Sequence, residues 1–273
     1  MFYASLAAAQ PAEFSVLSYN VFLRAPTWIF HNQHDWRSER IPLHLLGYDA
    51  VVLQEAFSND HREEIIAALA NEYPYHSDIL GDDEFLSYNG GVIILSRWPI
   101  TTQAQMVFDN CAGSDCMVKK GVVYAAINKA GLNVHLFGLH LQAEQKYSAA
   151  RIAQFPQIHQ FIDRQQIESS EPILVAGDFN VDYFANDNDG EFNQLLDAVS
   201  LQQPNDALVP SYDGASNSLI KDSVSERLDY IFFSSRHRKP LKASNEVLFF
   251  RDGNKDLSDH HPVLGRFTFG NQQ

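Results

Sequence analysis

Basic residues are scarce: 20 Lys and Arg stand against 34 Asp and Glu in 273 residues, a formal net charge of −14. Tight phosphate-backbone binding draws on Lys and Arg that displace counterions, so this balance counts against a general nucleic-acid binder. Long apolar runs are missing as well. A membrane-spanning helix needs about 18 consecutive apolar residues, and the longest aliphatic runs here, such as 92–95, are strand-sized. Cysteine is limited to Cys111 and Cys116, with no second Cys or His pair at the spacing of a four-ligand zinc site. No internal repeat, low-complexity tract or Pro/Gly/Ser linker divides the chain. A single domain over 13–270 is therefore expected, a size that folds with several sheets routinely reach.

What is present is a well-stocked core, with 45% hydrophobic and 12% aromatic residues, as in folded globular proteins. Residues 1–12 are rich in small side chains and include Ala7-Ala8-Ala9. They read as the end of an export signal without its charged start, or as a frayed terminus. Cys111 and Cys116 lie five apart in a polar, turn-forming stretch. They could close a small loop worth about 2 kcal/mol in the chain-entropy model, or remain two thiols.

Strands are expected over 14–21, 50–53, 91–95, 122–127, 132–139, 173–176, 228–233 and 263–269, which are rich in β-branched and aromatic residues and bounded by turn formers. Asn59-Asp60 opens a helical pattern over 62–71, and Ser148 opens another that Pro156 interrupts. Several connections are too short for a crossover helix, which points to mixed sheets with helices outside, an α/β sandwich.

Acidic, amide and imidazole residues stand at the C-terminal ends of these strands. Asn20 stands at the end of the first, Glu55 follows the second, His140 the fifth, and Asp178 and Asn180 the sixth; Asp229 and then Asp259-His260 come from later segments. A carboxylate ending an apolar strand must be solvated, paired or bound to a cation. Carboxylate and amide oxygens together suit a hard divalent ion such as Mg²⁺, and an Asp-His pair suits a general base beside it. Each group alone is ordinary strand-end polarity; the ensemble is what points to catalysis.

Leu17-Ser18-Tyr19-Asn20-Val21, Leu53-Gln54-Glu55, Gly138-Leu139-His140-Leu141-Gln142-Ala143-Glu144, Gly177-Asp178-Phe179-Asn180-Val181, Leu228-Asp229-Tyr230-Ile231 and Ser258-Asp259-His260-His261-Pro262-Val263 resemble, in order and rough spacing, the deoxyribonuclease-I-like endonuclease/exonuclease/phosphatase superfamily. Asn89-Gly90-Gly91 with the strand after it, His140 to Glu144, and Pro210-Ser211-Tyr212 with Asn217-Ser218 are similar to its bacterial sphingomyelinase C branch. The resemblance implies a four-layer α/β sandwich with two packed mixed sheets flanked by helices. It also implies a secreted, monomeric, Mg²⁺-dependent phosphodiesterase, with Mn²⁺ or Co²⁺ as substitutes, that cuts sphingomyelin or another phosphocholine lipid into ceramide and phosphocholine. Glu55 would hold the ion with Asn20 and Asp259, and Asp178 and Asn180 would complete the rim. His260 would be the base oriented by Asp229, and His140 would contact the phosphate.

The chain departs from that branch in three places. Asn59 matches an edge metal ligand, but Tyr88-Asn89 stands where an acidic pair is usual. The long aromatic hairpin before Ser-Asp-His is replaced by the short polar stretch 249–257, which leaves Trp28-Ile29-Phe30 to insert at a membrane or to pack in the core. Lys146-Tyr147 occupies the neighbourhood of the branch's second cysteine. A nuclease or phosphomonoesterase on the same fold, and a catalytically dead binder of choline lipids or of a host partner, are the competing readings.

Overall fold

The computed structural model describes residues 12–24, 33–84, 87–185 and 190–270. In chain order the strands are β1 (Ala12–Leu23), β2 (Ala50–Ala56), β3 (Tyr75–His76), β4 (Ile93–Ser96), β5 (Ile100–Val107), β6 (Gly121–Lys129), β7 (Leu132–His140), β8 (Ile173–Asp178) and β9 (Leu201–Gln202). They continue as β10 (Asn205–Asp206), β11 (Tyr212–Asp213), β12 (Ser225–Glu226), β13 (Asp229–Ser234), β14 (Lys242–Val247), β15 (Arg251–Asp252), β16 (Lys255–Asp256) and β17 (Val263–Phe269). The α-helices are α1 (His34–Arg40), α2 (Asn59–Leu69), α3 (Ser148–Arg164) and α4 (Glu191–Val199).

Two mixed sheets form the body, one ordered β10-β14-β17-β1-β2-β4-β3 and the other β5-β6-β7-β8-β13-β9. Strand alternation decides which side chains meet. Phe14 and Val16 of β1, Ala50 and Val52 of β2, Leu136 of β7, Leu174 and Ala176 of β8 and Ile231 of β13 share the core between the sheets. The intervening residues face outward. Leu17, Tyr19, Val51 and Leu53 pack with Ile65 and Leu69 of α2, while Phe137, Val175, Tyr230 and Phe232 pack with α3 and α4. The result is the expected four-layer sandwich.

Three details differ from the sequence reading. Helix α3 runs through Pro156 without a break. Losing that N–H costs about 3 kcal/mol, but Phe155, Ile158, Phe161 and Ile162 are buried on both sides of it, so packing holds the helix together. The first strand begins at Ala12, paired with Phe269, inside the stretch assigned to the leader. Helices α1 and α4 and strands β5 and β14 were not expected. β14 is polar, as LysAlaSerAsnGluVal, yet it is sandwiched between β10 and β17. Residues 1–11 of the suggested leader over 1–12, and Trp28, Ile29 and Phe30, lie outside the described residues.

Candidate active site

The site follows from the same alternation. In β1 the even-numbered residues face the other sheet, so Asn20 does too, at the strand's end. In β7 and β8 the even-numbered residues, and in β13 the odd-numbered ones, share the inter-sheet core with Leu136, Ala176 and Ile231, which places His140, Asp178 and Asp229 on the facing side. β7 and β8 are parallel with His140 opposite Asp178, and β13 is antiparallel with Asp229 opposite Asp178. The polar ends of both sheets therefore meet at one rim of the sandwich. Asn20 bridges them: its Nδ2 donates to Glu55 Oε1 at 3.2 Å and to Asp178 Oδ2 at 3.1 Å.

Glu55 would fall on the helix-facing side with Val51 and Leu53, but its φ of +54° breaks the pleat and accompanies its approach to Asn20. Such a left-handed backbone is strained for a non-glycine residue. Gly91 lies against this turn; a Cβ there would come within 2.8 Å of the Phe57 ring and 3.1 Å of Glu55 Cα. Asn180 is also left-handed, at +52°. Its N–H donates to Asp178 Oδ1 at 2.9 Å and its Nδ2 to the Leu141 carbonyl at 3.1 Å.

His260 and Asp229 form a buried dyad, with His260 Nδ1 2.8 Å from Asp229 Oδ2. Nδ1 is engaged there, so Nε2 is the nitrogen left to exchange a proton; it lies 3.8 Å from Asp178 Oδ2. Tyr212 flanks the imidazole, ring centroids 5.0 Å apart. Burial opposes protonation of His260, yet Asp229 and Asp178 outweigh it and raise its pKa well above the ordinary value. Burial, helped by Lys120 and His260, holds His140 well below its ordinary value, so that ring is neutral.

The sequence reading gave Ser211 no role. Its hydroxyl donates to Asp229 Oδ2 at 2.6 Å and accepts from the Leu228 and Asp229 N–H groups at 3.0 and 3.1 Å. Removing it leaves buried donors unpaired, which costs about 1–3 kcal/mol. Ser211→Ala is expected to lower unfolding stability by that amount in a urea titration; an unchanged midpoint would show that the hydroxyl is dispensable. Arg151 was missed as well. It is buried in a two-pronged pair with Glu191, at 2.7 and 2.8 Å, and donates to the Gln142 carbonyl at 3.0 Å, pinning the chain just beyond His140.

At the edge of the rim, Asn59 Nδ2 donates to Asp83 Oδ2 at 2.7 Å. Asn89 donates to Asp83 Oδ1 through both its N–H, at 2.8 Å, and its Nδ2, at 3.0 Å. Tyr88-Asn89 lacks an acidic group, and the carboxylate that meets Asn59 comes instead from Asp83, six residues before Asn89. Cys111 and Cys116 are joined in a disulfide.

Asp178, Asp229 and His260 each bring one ligand atom within 4.8 Å of the others, a group that could hold a metal ion. On the Glu55 side, Oε2 is buried and has no hydrogen-bond partner among the described residues, as expected of an oxygen that serves a cation. Burial first, then Asp229, pushes Asp178 up to about 7, and burial, with Glu55 adding, pushes Asp259 up to about 6. These buried carboxylates are short of positive charge, and the donor set of carboxylate and amide oxygens fits a hard divalent ion.

The sign of the pH effect follows. Asp178 and Asp259 hold protons more tightly folded than unfolded, so their contribution to stability falls as pH rises from about 4 to 7. The His260 contribution is full below its ordinary value and is lost as pH passes its raised one. Mg²⁺ should therefore raise the melting temperature more at pH 8 than at pH 5, relative to EDTA. An equal or smaller shift at pH 8 would contradict cation binding by these carboxylates.

Residues 17–260 match the Endonuclease/Exonuclease/phosphatase family. Among curated relatives, Sphingomyelinase C 2 of Leptospira interrogans serogroup Icterohaemorrhagiae serovar Lai is 32% identical, over 93% of this chain and 46% of its own. Sphingomyelinase C of Bacillus cereus is 32% identical, over 91% of this chain and 86% of its own. The chain spans about half the length of the Leptospira relative. A double mutant of Staphylococcus aureus beta toxin, solved with bound magnesium ions, superposes with a TM-score of 0.83 at 26% identity, covering 95% of this chain and 100% of that one. The chain belongs to the endonuclease/exonuclease/phosphatase family, in its sphingomyelinase C branch.

Proposed function

We propose that the protein is a divalent-cation-dependent phosphodiesterase, of phospholipase C type, that hydrolyses sphingomyelin to ceramide and phosphocholine. The observation that carries this reading is the meeting of Asn20, His140, Asp178 and the His260–Asp229 dyad at one rim between the sheets. Relatives named sphingomyelinase C supply the substrate.

Glu55, Asn20 and Asp259 would hold the ion, with Asp178 and Asn180 completing its water-binding rim. Mg²⁺ is the first choice, since a neighbouring structure carries it. When bound, such an ion polarises the phosphodiester and offsets charge on the leaving oxygen. His260 takes a proton from the attacking water at Nε2, while Asp229, gripping Nδ1, fixes the tautomer and steadies the imidazolium. His140, neutral and buried, donates a hydrogen bond to a phosphate oxygen. Asn180 and Asp178, whose Oδ2 lies 3.8 Å from His260 Nε2, order that water.

Export suits the disulfide Cys111–Cys116, because such bonds persist in oxidising surroundings. Among the described residues, no helix is long and apolar enough to cross a membrane. Phe249 is half exposed, with its ring 4.6 Å from that of His261. It stands beside the site where a lipid surface would approach.

The test is phosphocholine release from sphingomyelin in mixed micelles and in vesicles, with Mg²⁺ or EDTA, alongside bis-p-nitrophenyl phosphate and plasmid DNA. Release from micelles that EDTA abolishes is expected. Cleavage of DNA or of the small diester with no lipid hydrolysis would overturn the substrate, and inactivity on every substrate would point to a binding protein.

A further inference from the structure

Lys120 is one of the most deeply buried cations in the described chain, 6% exposed, and its neighbour Lys119 makes the pair look like solvated surface charge in sequence. Its ammonium has three protons and three partners: His140 Nε2 at 2.9 Å, the Leu141 carbonyl at 2.9 Å and Asp115 Oδ2 at 2.8 Å. An ammonium donates and cannot accept, so at 2.9 Å the His140 Nε2 must present its lone pair. The ring proton of neutral His140 then resides on Nδ1, a buried atom with no hydrogen-bond partner among the described residues. The 3.4 Å approach of Nε2 to Asp178 Oδ2 is correspondingly not a hydrogen bond while Lys120 is in place.

Asp115 is itself held fast. It precedes Cys116 inside the loop closed by the disulfide, and its Oδ2 also accepts from Gln142 Nε2 at 3.0 Å and from the Ala143 N–H at 2.8 Å. The Ala112 N–H, in the same loop, donates to Gln142 Oε1 at 2.7 Å. The loop and the segment after His140 are thus stitched together around one ammonium. Leu141 O accepts from Asn180 as well as from Lys120, which ties the arrangement to the rim. A buried cation is costly unless fully paired, and this one is paired on all three protons.

We propose that Lys120, clamped by Asp115 of the disulfide loop, is a positioning residue that dictates the tautomer of His140, keeping its proton on Nδ1 and its Nε2 lone pair turned away from service as a donor. The catalytic part of this inference rests on the phosphodiesterase reading; the tautomer does not. Without the ammonium, Nε2 is free to carry the proton and donate it to Asp178 Oδ2, and Nδ1 becomes an acceptor.

The experiment uses the full chain with isotopically labelled histidine, reading the ring nitrogens of His140 by NMR, assigned through His140→Gln. Two variants are compared with the parent: Lys120→Met, and Asp115→Asn with Lys120→Met, which avoids leaving a buried carboxylate unpaired should the single variant fold poorly. The parent should show a protonated Nδ1, and both variants a proton moved to Nε2. With sphingomyelin in micelles, kcat should fall about 10- to 100-fold, the usual cost of losing an outer partner of a site residue, with KM within about threefold. Unchanged tautomer in the variants would overturn the proposal, whether or not activity is lost, because lost activity alone would mean only a structural role. A parent without lipid hydrolysis whose tautomer still responds to Lys120 would instead overturn the phosphodiesterase reading and support the positioning.

Discussion

His260→Ala is expected to lower kcat on sphingomyelin by about 10²- to 10⁴-fold, the usual size of a general-base contribution, while KM stays within a few-fold. The argument is geometric. Nδ1 is committed to Asp229 at 2.8 Å, Asp229 is held from behind by Ser211 at 2.6 Å, and Tyr212 flanks the ring. The imidazole therefore has one orientation and one nitrogen available. Asp229→Asn keeps the shape but loses the charge that steadies the imidazolium, and should cost about 10- to 100-fold. The two effects should not add, since both act through one proton transfer. Steady-state phosphocholine release with matched melting curves checks this. Turnover within threefold of the parent for His260→Ala would remove His260 from the mechanism.

Glu55→Gln should be the other large effect. The change preserves volume and leaves Asn20 a partner, so the fold should survive, but it removes the negative charge of a carboxylate whose Oε2 is buried without a hydrogen-bond partner among the described residues. Several kcal/mol of transition-state stabilisation come from an ion of this kind, and tenfold in rate corresponds to about 1.4 kcal/mol. A fall of about 10²- to 10³-fold at fixed Mg²⁺ is expected, along with loss of most of the Mg²⁺-induced rise in melting temperature. Titration of activity and of melting temperature against Mg²⁺ measures both. A midpoint equal to the parent's would place the ion elsewhere, with the Asp178, Asp229 and His260 group as the remaining candidate.

The strands that build the rim were legible because their composition is extreme. β1, β2, β7, β8, β13 and β17 are buried on both faces or nearly so, and buried strands read as β-branched and aromatic runs whose ends stand out when a carboxylate, amide or imidazole interrupts them. Polar strands such as β5 and β14 carry no such signal; their pairing comes from neighbours distant in sequence. Helix α3 shows the reverse failure, where Pro156 misled because local chemistry was outweighed by packing. Within the site, the residues at strand ends could be named in advance, while those that hold them could not. Ser211 sits in a loop and meets Asp229 18 residues on, Asp83 meets Asn59 from 24 residues away, and Lys120 differs from any surface lysine only through where three acceptors happen to converge. Partners of this kind are properties of the fold, and no spacing rule contains them.

The most direct test of the account is hydrolysis of sphingomyelin micelles in heavy-oxygen water with Mg²⁺, against an EDTA control, with both products weighed by mass spectrometry. Water activated at His260 and attacking phosphorus predicts phosphocholine carrying one heavy oxygen, unlabelled ceramide, and neither product in EDTA. Label in the ceramide alcohol, or release that persists undiminished in EDTA, would contradict the mechanism drawn from this site.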